Sequence, residues 1–215
     1  MNNLASGHYD ESYFSWQSSI GEFGGWANAP LFNAYIKPGD TVLDFGCGGG
    51  WLLKNIPCHR RLGVEVNIAA LEVARSNGLE MYGSAAEIPG MVDVIISNHA
   101  LEHVLHPLYD LTSLRSKLRA GGLIIFVVPC ESVNGAYTAG DINHHLYTWN
   151  PMCLGNLFSE AGYSVIESSP LMHKWHPKFK LLARMGGRRL FDFASRLYAY
   201  VERSSFQVRI VAHNA

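Results

Sequence analysis

Apolar runs of strand length alternate with segments of helical periodicity from residue 41 to residue 128. Short runs rich in β-branched residues predict five strands, at residues 41–45, 61–66, 79–82, 92–97 and 123–128. Apolar residues spaced three and four apart predict helices between them, at 51–56, 68–76 and about 107–119. Gly121 and Gly122 would end the last of these helices. The alternation predicts a parallel sheet with helices on both faces, and the unbroken apolar run at 123–128 predicts its central strand.

The pattern continues on both sides of these five strands. Residues 10–36 are rich in aromatic side chains and predict helices. After a polar loop that reaches about residue 150, a helix is predicted at 151–161, followed by strands at 163–168 and 206–212. One or two helices are predicted between these strands, because five apolar positions fall on one helical face: Leu190, Ala194, Leu197, Tyr198 and Val201.

Composition is that of a folded protein with one domain. The chain has 215 residues, of which 48% are apolar and 16% charged, and this excludes a disordered chain. No apolar run approaches the roughly 20 residues that cross a bilayer. The N-terminus lacks the pattern of a secretory signal, so we expect a cytoplasmic protein. The four cysteines form no Cys-x-x-Cys pair, which predicts neither a disulfide framework nor a thiolate zinc site.

The charges are unevenly distributed along the chain. The net charge of −1 argues against bulk binding to nucleic acid. Residues 171–204, however, hold eight lysine and arginine residues against Asp192 and Glu202. Three interpretations of this basic segment stay open: a solvated face of a lid helix, a clamp for an acidic substrate, and docking on an anionic membrane surface.

A glycine-rich loop follows the first predicted strand. Gly46, Gly48 and Gly50 allow positive φ and a close approach of the backbone to a ligand. A dinucleotide-binding loop would need glycine at position 51, where this chain has Trp51, so NAD and FAD are disfavoured. Glu65 follows Gly46 by 19 residues, close to the spacing at which a carboxylate accepts hydrogen bonds from both ribose hydroxyls.

Several segments in the right order resemble class I S-adenosylmethionine-dependent methyltransferases. Residues 42–50 and 63–65 resemble the first two motifs of that family, and the resemblance continues through 95–104 and 118–123. The stretch at 144–151 is similar to the small-molecule, type 11/23-like branch. The resemblance implies an α/β, Rossmann-like, seven-stranded and mostly parallel sheet with helices on both faces and an antiparallel last strand.

The same resemblance implies how a single domain over residues 1–215 would be organised. Residues 1–40 would form a helical cap, and residues 171–204 an inserted helical lid. The core sheet would take the remainder, residues 41–170 and 205–215. We expect a monomer or a homodimer.

The implied cofactor is S-adenosylmethionine, with S-adenosylhomocysteine as the product. The resemblance implies that Asp44 and the loop of Gly46, Cys47 and Gly48 hold the amino-acid end of the cofactor. Glu65 would hold the ribose.

Further contacts with the cofactor are implied at other positions. Val66 would flank the adenine, and Asn98 would lie beneath the methionine portion. Helices before the sheet often close over the cofactor in this family, which makes Tyr13 and Gln17 candidate contacts.

One position departs from the family pattern. Ser84 stands where the family commonly has an aspartate that receives the adenine amino group. A serine hydroxyl can also accept a hydrogen bond, the N–H of Ala85 or Ala86 could serve the ring, and Glu87 is an alternative acceptor.

The histidines allow two interpretations. Residues 99–103 match the His-x-x-Glu-His pattern of zinc peptidases. That chemistry needs both histidines on one helical face and a third ligand, whereas this pair is predicted to straddle a strand-to-helix junction, so no metal site is predicted. A histidine near its ordinary pKa suits the role of a general base, for which the candidates are His103, His144 and His145.

These observations predict a methyltransferase that acts on an oxygen or a nitrogen of a small molecule. Two alternatives stay open: a subunit that binds the cofactor without catalysis, and an RNA methyltransferase. The fold itself hosts many functions and does not identify the acceptor.

Overall fold

The structure is a computed structural model that describes residues 11–132, 134–203 and 206–215, with the side chains of residues 11–19 left outside the description. The strands are β1 Thr41–Phe45, β2 Arg60–Val64, β3 Glu80–Tyr82, β4 Val92–Asn98, β5 Leu118–Cys130, β6 Ser164–Leu171 and β7 Phe206–His213. The α-helices are α1 Glu11–Asn28, α2 Pro30–Asn33, α3 Trp51–Lys54, α4 Ile68–Ser76, α5 Pro107–Arg115, α6 Pro151–Glu160 and α7 Phe179–Val201. Two 3₁₀ turns lie at Ala85–Glu87 and Leu101–His103.

The seven strands form one sheet in the order β3-β2-β1-β4-β5-β7-β6. Strands β1 to β5 pair in parallel, while β7 is antiparallel to both β5 and β6. The mostly parallel sheet with an antiparallel last strand is therefore confirmed. Strand order reverses between β1 and β4, and in open α/β sheets ligands bind at such a switch point, beyond the carboxyl ends of the strands.

Two apolar layers cover the two faces of the sheet. Side chains of β5 alternate between the layers: Phe126 packs in one and Ile125 and Val127 in the other, all fully buried. Burying each such side chain stabilises the fold by about 1.5–3 kcal/mol. The apolar run at 123–128 is thus a central strand, as its composition predicts.

The two glycines before this run do not end a helix. Helix α5 ends at Arg115, and β5 begins at Leu118, where it pairs with Val92 before the register shifts between Val92 and Val94. Gly121 adopts φ +72°, and its N–H donates to the carbonyl of Asn214 at 2.6 Å. The predicted helix end was wrong, because hydrogen bonds to Asn214, just past the end of β7, hold the two glycines in an irregular stretch of β5.

Helix α7 packs through a different face from the one predicted. Its buried residues are Phe191, Ser195 and Ala199, whereas Leu197 and Val201 are 55% and 76% exposed. The reason is tertiary: the ring of Phe191 lies 5.5 Å from that of Phe23 and 5.6 Å from that of Trp26 on α1. Within the described ranges no helix is both long and apolar enough to cross a lipid bilayer.

Candidate active site

A cavity of about 510 Å³ opens at the carboxyl ends of β1, β2 and β4. This is the switch point of the sheet, where ligand sites of such folds lie, and the volume lies in the range of small-molecule sites. The glycine loop and the end of β2 line one side. The 3₁₀ turns and α5 line the others. Its walls are formed by Phe45, Gly46, Val64, Glu65, Val66, Asn67, Ala70, Gly83, Ser84, Ala85, Ala86, His99, Ala100, His103, Val104, Leu105, His106, Tyr109, Asp110 and Ser113.

Three glycines with left-handed backbone conformation shape the loop between β1 and α3. Gly46, Gly48 and Gly50 have φ of +71°, +53° and +77°, a region that only glycine enters without strain. A Cβ at Gly46 would overlap the Cβ of Ala100, so the backbone here leaves no room for a side chain. At the cavity wall the loop presents the bare backbone of Gly46.

Glu65 stands at the end of β2 and is oriented by backbone donors. Its Oε2 accepts from the N–H of Gly48 at 2.8 Å, and its Oε1 accepts from the N–H of Val66 and of Asn67, both at 2.8 Å. Burial raises the pKa of Glu65, and the three N–H groups act in the opposite direction. Each carboxylate oxygen can accept more than one hydrogen bond, so the group can still receive a ligand hydroxyl.

Asp44 lies beneath the glycine loop and is 1% exposed. Burial, and then repulsion from the Glu65 carboxylate, raise the pKa of Asp44 well above its usual range. Glu65 in the cavity wall, with the Asp44 carboxyl group behind it, favours a cationic ligand at this end of the cavity. Asp44 itself is not part of the cavity wall.

The turn after β3 forms another part of the wall. The hydroxyl of Ser84 donates to Glu87 Oε1 at 3.0 Å, and the N–H of Gly83 donates to Glu87 Oε2 at 3.1 Å. Glu87 therefore holds the turn together and does not line the cavity. Ala85 and Ala86 present their small side chains or backbone to the space beside Ser84.

The structure brings five of the predicted cofactor residues into the cavity wall: Gly46, Glu65, Val66, Ser84 and Ala85. Cys47 and Gly48 lie behind the wall. The N–H of Gly48 is taken by Glu65, and burial raises the pKa of the Cys47 thiol, which lies 3.9 Å from Met81 Sδ.

Three further predicted contacts are not part of the cavity wall as described. Asn98 lies at the end of β4, and its buried Oδ1 has no hydrogen-bond partner among the described residues. Tyr13 and Gln17 belong to α1, but their side chains lie outside the described residues. The contacts of these three residues with a cofactor stay predictions.

Across the cavity from Glu65, three histidines surround one carboxylate, a set that we call the histidine cluster: His99, Glu102, His103 and His145. Oε1 of Glu102 lies 3.5 Å from His99 Nδ1, 3.9 Å from His103 Nε2 and 4.0 Å from His145 Nε2. The Glu102 side chain is fully buried, and neither of its oxygens has a hydrogen-bond partner in the described part of the chain.

Burial dominates the titration of this cluster. It raises the pKa of Glu102 to about 8, with a smaller contribution from Glu131. It lowers the pKa of His103 to about 4, an effect that the nearby imidazoles of His145 and His99 reinforce. Burial therefore favours the neutral imidazole at His103, and it also lowers the pKa of His99.

Of the three candidate bases, only His103 lines the cavity. His145 lies behind it, with the two ring centroids 4.9 Å apart. His144 is exposed, has φ +47°, and its N–H donates to Asp141 Oδ2 at 3.2 Å. The structure thus brings two of the three together at the site.

Helix α5 supplies wall residues that sequence reasoning missed. Tyr109, Asp110 and Ser113 lie in the first two turns of this helix and face the cavity. A signal was present in the sequence, because α5 begins at Pro107 soon after β4 and positions 109 and 113 share one helical face. Glu131 and Gln207, which contact the cluster, gave no such local signal.

Comparison with known proteins identifies what the chain is similar to. The family model described as "Methyltransferase domain" matches residues 22–168. A ubiquinone biosynthesis O-methyltransferase of Paraburkholderia xenovorans (strain LB400) is 33% identical over 102 residues. The match covers 41% of this chain and 44% of that relative, so the chain spans less than half of the curated protein.

Two other proteins extend the comparison. A Bos taurus protein named "Probable tRNA methyltransferase 9B" is 28% identical over 145 residues, which are 64% of this chain and 31% of that protein. The solved structure of an S-adenosylmethionine-dependent methyltransferase from Thermotoga maritima superposes with a TM-score of 0.64 at 15% identity. It covers 94% of each chain and supports the fold alone.

Proposed function

We propose, from the premise that this chain belongs to the class I S-adenosylmethionine-dependent methyltransferases, that it methylates an oxygen of a small-molecule acceptor. The observation that carries the proposal is the cavity at the switch point, with the Glu65 carboxylate on one side and the histidine cluster on the other. The cofactor of this family supplies a methyl group activated on a sulfonium. The residues of the chain would bind the cofactor, align the acceptor and accept its proton.

The cofactor side of the cavity fits the group that it would hold. Glu65, fixed by three N–H groups, would accept hydrogen bonds from the ribose hydroxyls. Gly46 carries no side chain and lines the cavity, so a ligand there can approach its backbone closely. The positive ammonium and sulfonium groups of the cofactor would stabilise the ionised form of Asp44, which burial and the Glu65 carboxylate disfavour. Ser84 and Ala85 would border the adenine.

The acceptor would occupy the space between this side and α5. Val104, Leu105 and Tyr109 offer apolar surface there, and Asp110 and Ser113 offer polar groups. Such a mixture, mainly apolar with a few polar groups, is typical of sites that orient a small molecule. Holding the acceptor in line with the methyl group is worth up to about 7–11 kcal/mol.

The histidine cluster would accept the proton that a hydroxyl acceptor must lose. His99 and His103 are its members at the cavity wall. Neutral imidazoles can accept a hydrogen bond from a hydroxyl. We favour oxygen over nitrogen because the 33% identical relative is named an O-methyltransferase.

A transfer assay tests this function. Purified chain is incubated with S-adenosylmethionine carrying a labelled methyl group and a panel of phenols, catechols, aliphatic alcohols and amines. We expect label in at least one hydroxylated acceptor, and loss of that signal in the Glu65→Ala variant. If no acceptor is labelled although S-adenosylhomocysteine binds, the proposal fails in favour of a binding protein without catalysis.

A second candidate, methylation of RNA, has one observation in its favour. The relative named "Probable tRNA methyltransferase 9B" matches 64% of the chain, and the basic helix α7 could contact phosphates. Adding transfer RNA to the same assay decides between them. Label in RNA and in no small molecule would overturn the choice of a small acceptor.

A further inference from the structure

The arrangement of the histidine cluster is not explained by hydrogen bonds within it. The three distances from Glu102 Oε1 to the histidine nitrogens, 3.5, 3.9 and 4.0 Å, are too long for hydrogen bonds. Both oxygens of the fully buried Glu102 lack a hydrogen-bond partner in the described part of the chain. A buried carboxyl group is normally paired or coordinated to a metal, so the cluster points to a missing positive group.

The outer nitrogen of His99 is fixed as a donor. The amide nitrogen of Gln207 donates to the carbonyl of His173 at 2.6 Å, which places its Oε1 toward His99 Nε2, 3.1 Å away. His99 Nε2 must therefore carry the proton. This leaves an unprotonated Nδ1 facing Glu102.

His145 and His103 are held in the same manner. Nδ1 of His145 lies 2.7 Å from the Oε1 of Glu131, to which it donates, so Nε2 is left as an acceptor toward Glu102. His103 makes a hydrogen bond with the backbone of His144. Metal-binding histidines are commonly oriented in this way, with the outer N–H donated to a carboxylate or a carbonyl.

The loop that carries His145 is anchored directly at Glu102. The backbone carbonyl of Glu102 accepts from the N–H of Leu146 at 2.9 Å and of Tyr147 at 3.2 Å. In the described chain the non-glycine residues with positive φ are His99 and His144, which lie on the two segments that meet here. Backbone strain of this kind clusters at functional sites.

We propose that Glu102, His103 and His145 bind a divalent first-row transition metal ion, with His99 as the next donor. The ligand atoms of the first three lie within 4.8 Å of one another. Ligands at about 2.1 Å around a tetrahedral ion stand roughly 3.4 Å apart, so small side-chain movements close the site. Imidazole nitrogens with one carboxylate suit zinc or iron, whereas magnesium and calcium prefer an all-oxygen set.

The role of the ion in catalysis rests on the proposed function, although its binding does not. His99 and His103 belong both to the cluster and to the cavity wall. An ion at this point would lower the pKa of a hydroxyl bound to it, so that the hydroxyl would release its proton to solvent water more readily. The ion, more than a free His103 imidazole, would then make the acceptor reactive.

The test is a titration of the chelator-treated chain with Zn²⁺ by calorimetry, with Co²⁺ absorption as a spectroscopic readout of coordination. We expect one equivalent to bind. His145→Ala and Glu102→Gln should weaken binding by at least about 100-fold. Glu131→Ala, which removes only the partner of His145, should weaken it by about 10–100-fold. His59→Ala, at an exposed histidine outside the cluster, should leave it unchanged.

The proposal is overturned if the wild-type chain takes up no Zn²⁺, or if the cluster variants bind it as tightly as wild type does. Thermal unfolding of each variant shows whether it is folded. Glu131 is 49% exposed, so its substitution keeps the test valid even if Glu102→Gln unfolds. A parallel titration with S-adenosylhomocysteine separates the two proposals, since that product should bind whether or not the metal site exists.

Discussion

At the scale of single residues, Asp44 has a carboxyl group whose charged form the folded protein disfavours. Its carboxyl group is 1% exposed, and its pKa is raised by burial and by Glu65. The folded state therefore holds the proton more tightly than the unfolded chain. The resulting stability is present below the unfolded pKa of about 3.9 and is lost as the pH rises through the raised folded value.

Asp44→Asn should separate stability from binding. At pH 7.5 the amide removes the cost of a buried charge, so the ligand-free variant should unfold at a higher temperature, by about 2–4 °C for each kcal/mol gained. The gain should shrink toward pH 4, where Asp44 is also neutral. Binding of S-adenosylhomocysteine should weaken, because we propose that Asp44 stabilises the ammonium group of the cofactor. Calorimetric unfolding at both pH values checks this, and a variant less stable than wild type at pH 7.5 would contradict it.

The second prediction at the scale of single residues concerns Gly46. Gly46→Ala combines a left-handed backbone, φ +71°, with overlap against Ala100. Gly78, at φ +79° with open space around it, is the matched control. Gly78→Ala should cost about 1–2 kcal/mol from backbone strain alone. Gly46→Ala should cost about 1–3 kcal/mol more, as measured by denaturant unfolding, and equal costs would show that the loop is not tightly packed.

At the scale of elements, α7 has two faces of different character. Its inner face packs on α1 through Phe191, and the guanidinium of Arg188 lies 4.0 Å from the ring centroid of Trp26. Its outer face exposes large apolar side chains between arginines. The backbone leaves the helical conformation at Gly187, so those more than half exposed fall into two groups: Leu181 and Met185 before this kink, and Phe193, Leu197, Tyr200 and Val201 after it.

This outer face gives the third prediction, since basic helices with exposed apolar residues bind anionic lipid surfaces. We expect the chain to sediment with vesicles that contain phosphatidylglycerol and to remain in solution with neutral ones. Phe193→Ser with Leu197→Ser should reduce sedimentation several-fold at unchanged folding, because both side chains are exposed. Absence of sedimentation with either vesicle would leave α7 as a lid or a clamp.

At the scale of the whole molecule, local patterns predicted the sheet and one half of the cavity. The glycine loop and Glu65 follow consecutive strands, so their spacing along the chain is enough to place them together. The bulge at Gly121 was missed because a hydrogen bond to Asn214, just past the end of β7, overrides the usual helix-ending role of glycine. The same holds for the face of α7, which its aromatic partners on α1 select.

The histidine cluster could not be predicted from the sequence alone. Residues 99–103 were visible as a motif, but the third ligand, His145, arrives from a loop more than 40 residues later. Glu131 and Gln207, which orient the imidazoles, come from the segment after β5 and from β7. Only the folded chain brings these groups together, so the motif by itself argued against a metal.

Binding of S-adenosylhomocysteine measured by isothermal titration calorimetry tests the central claim most directly. The wild-type chain should bind one equivalent, and Glu65→Ala should weaken binding about 10–150-fold, the effect of losing hydrogen bonds to a charged group. Glu72→Ala, on the exposed surface of α4, should bind like wild type. No heat with the folded wild-type chain, or equal affinity in Glu65→Ala, would contradict a cofactor site at the carboxyl ends of β1 and β2.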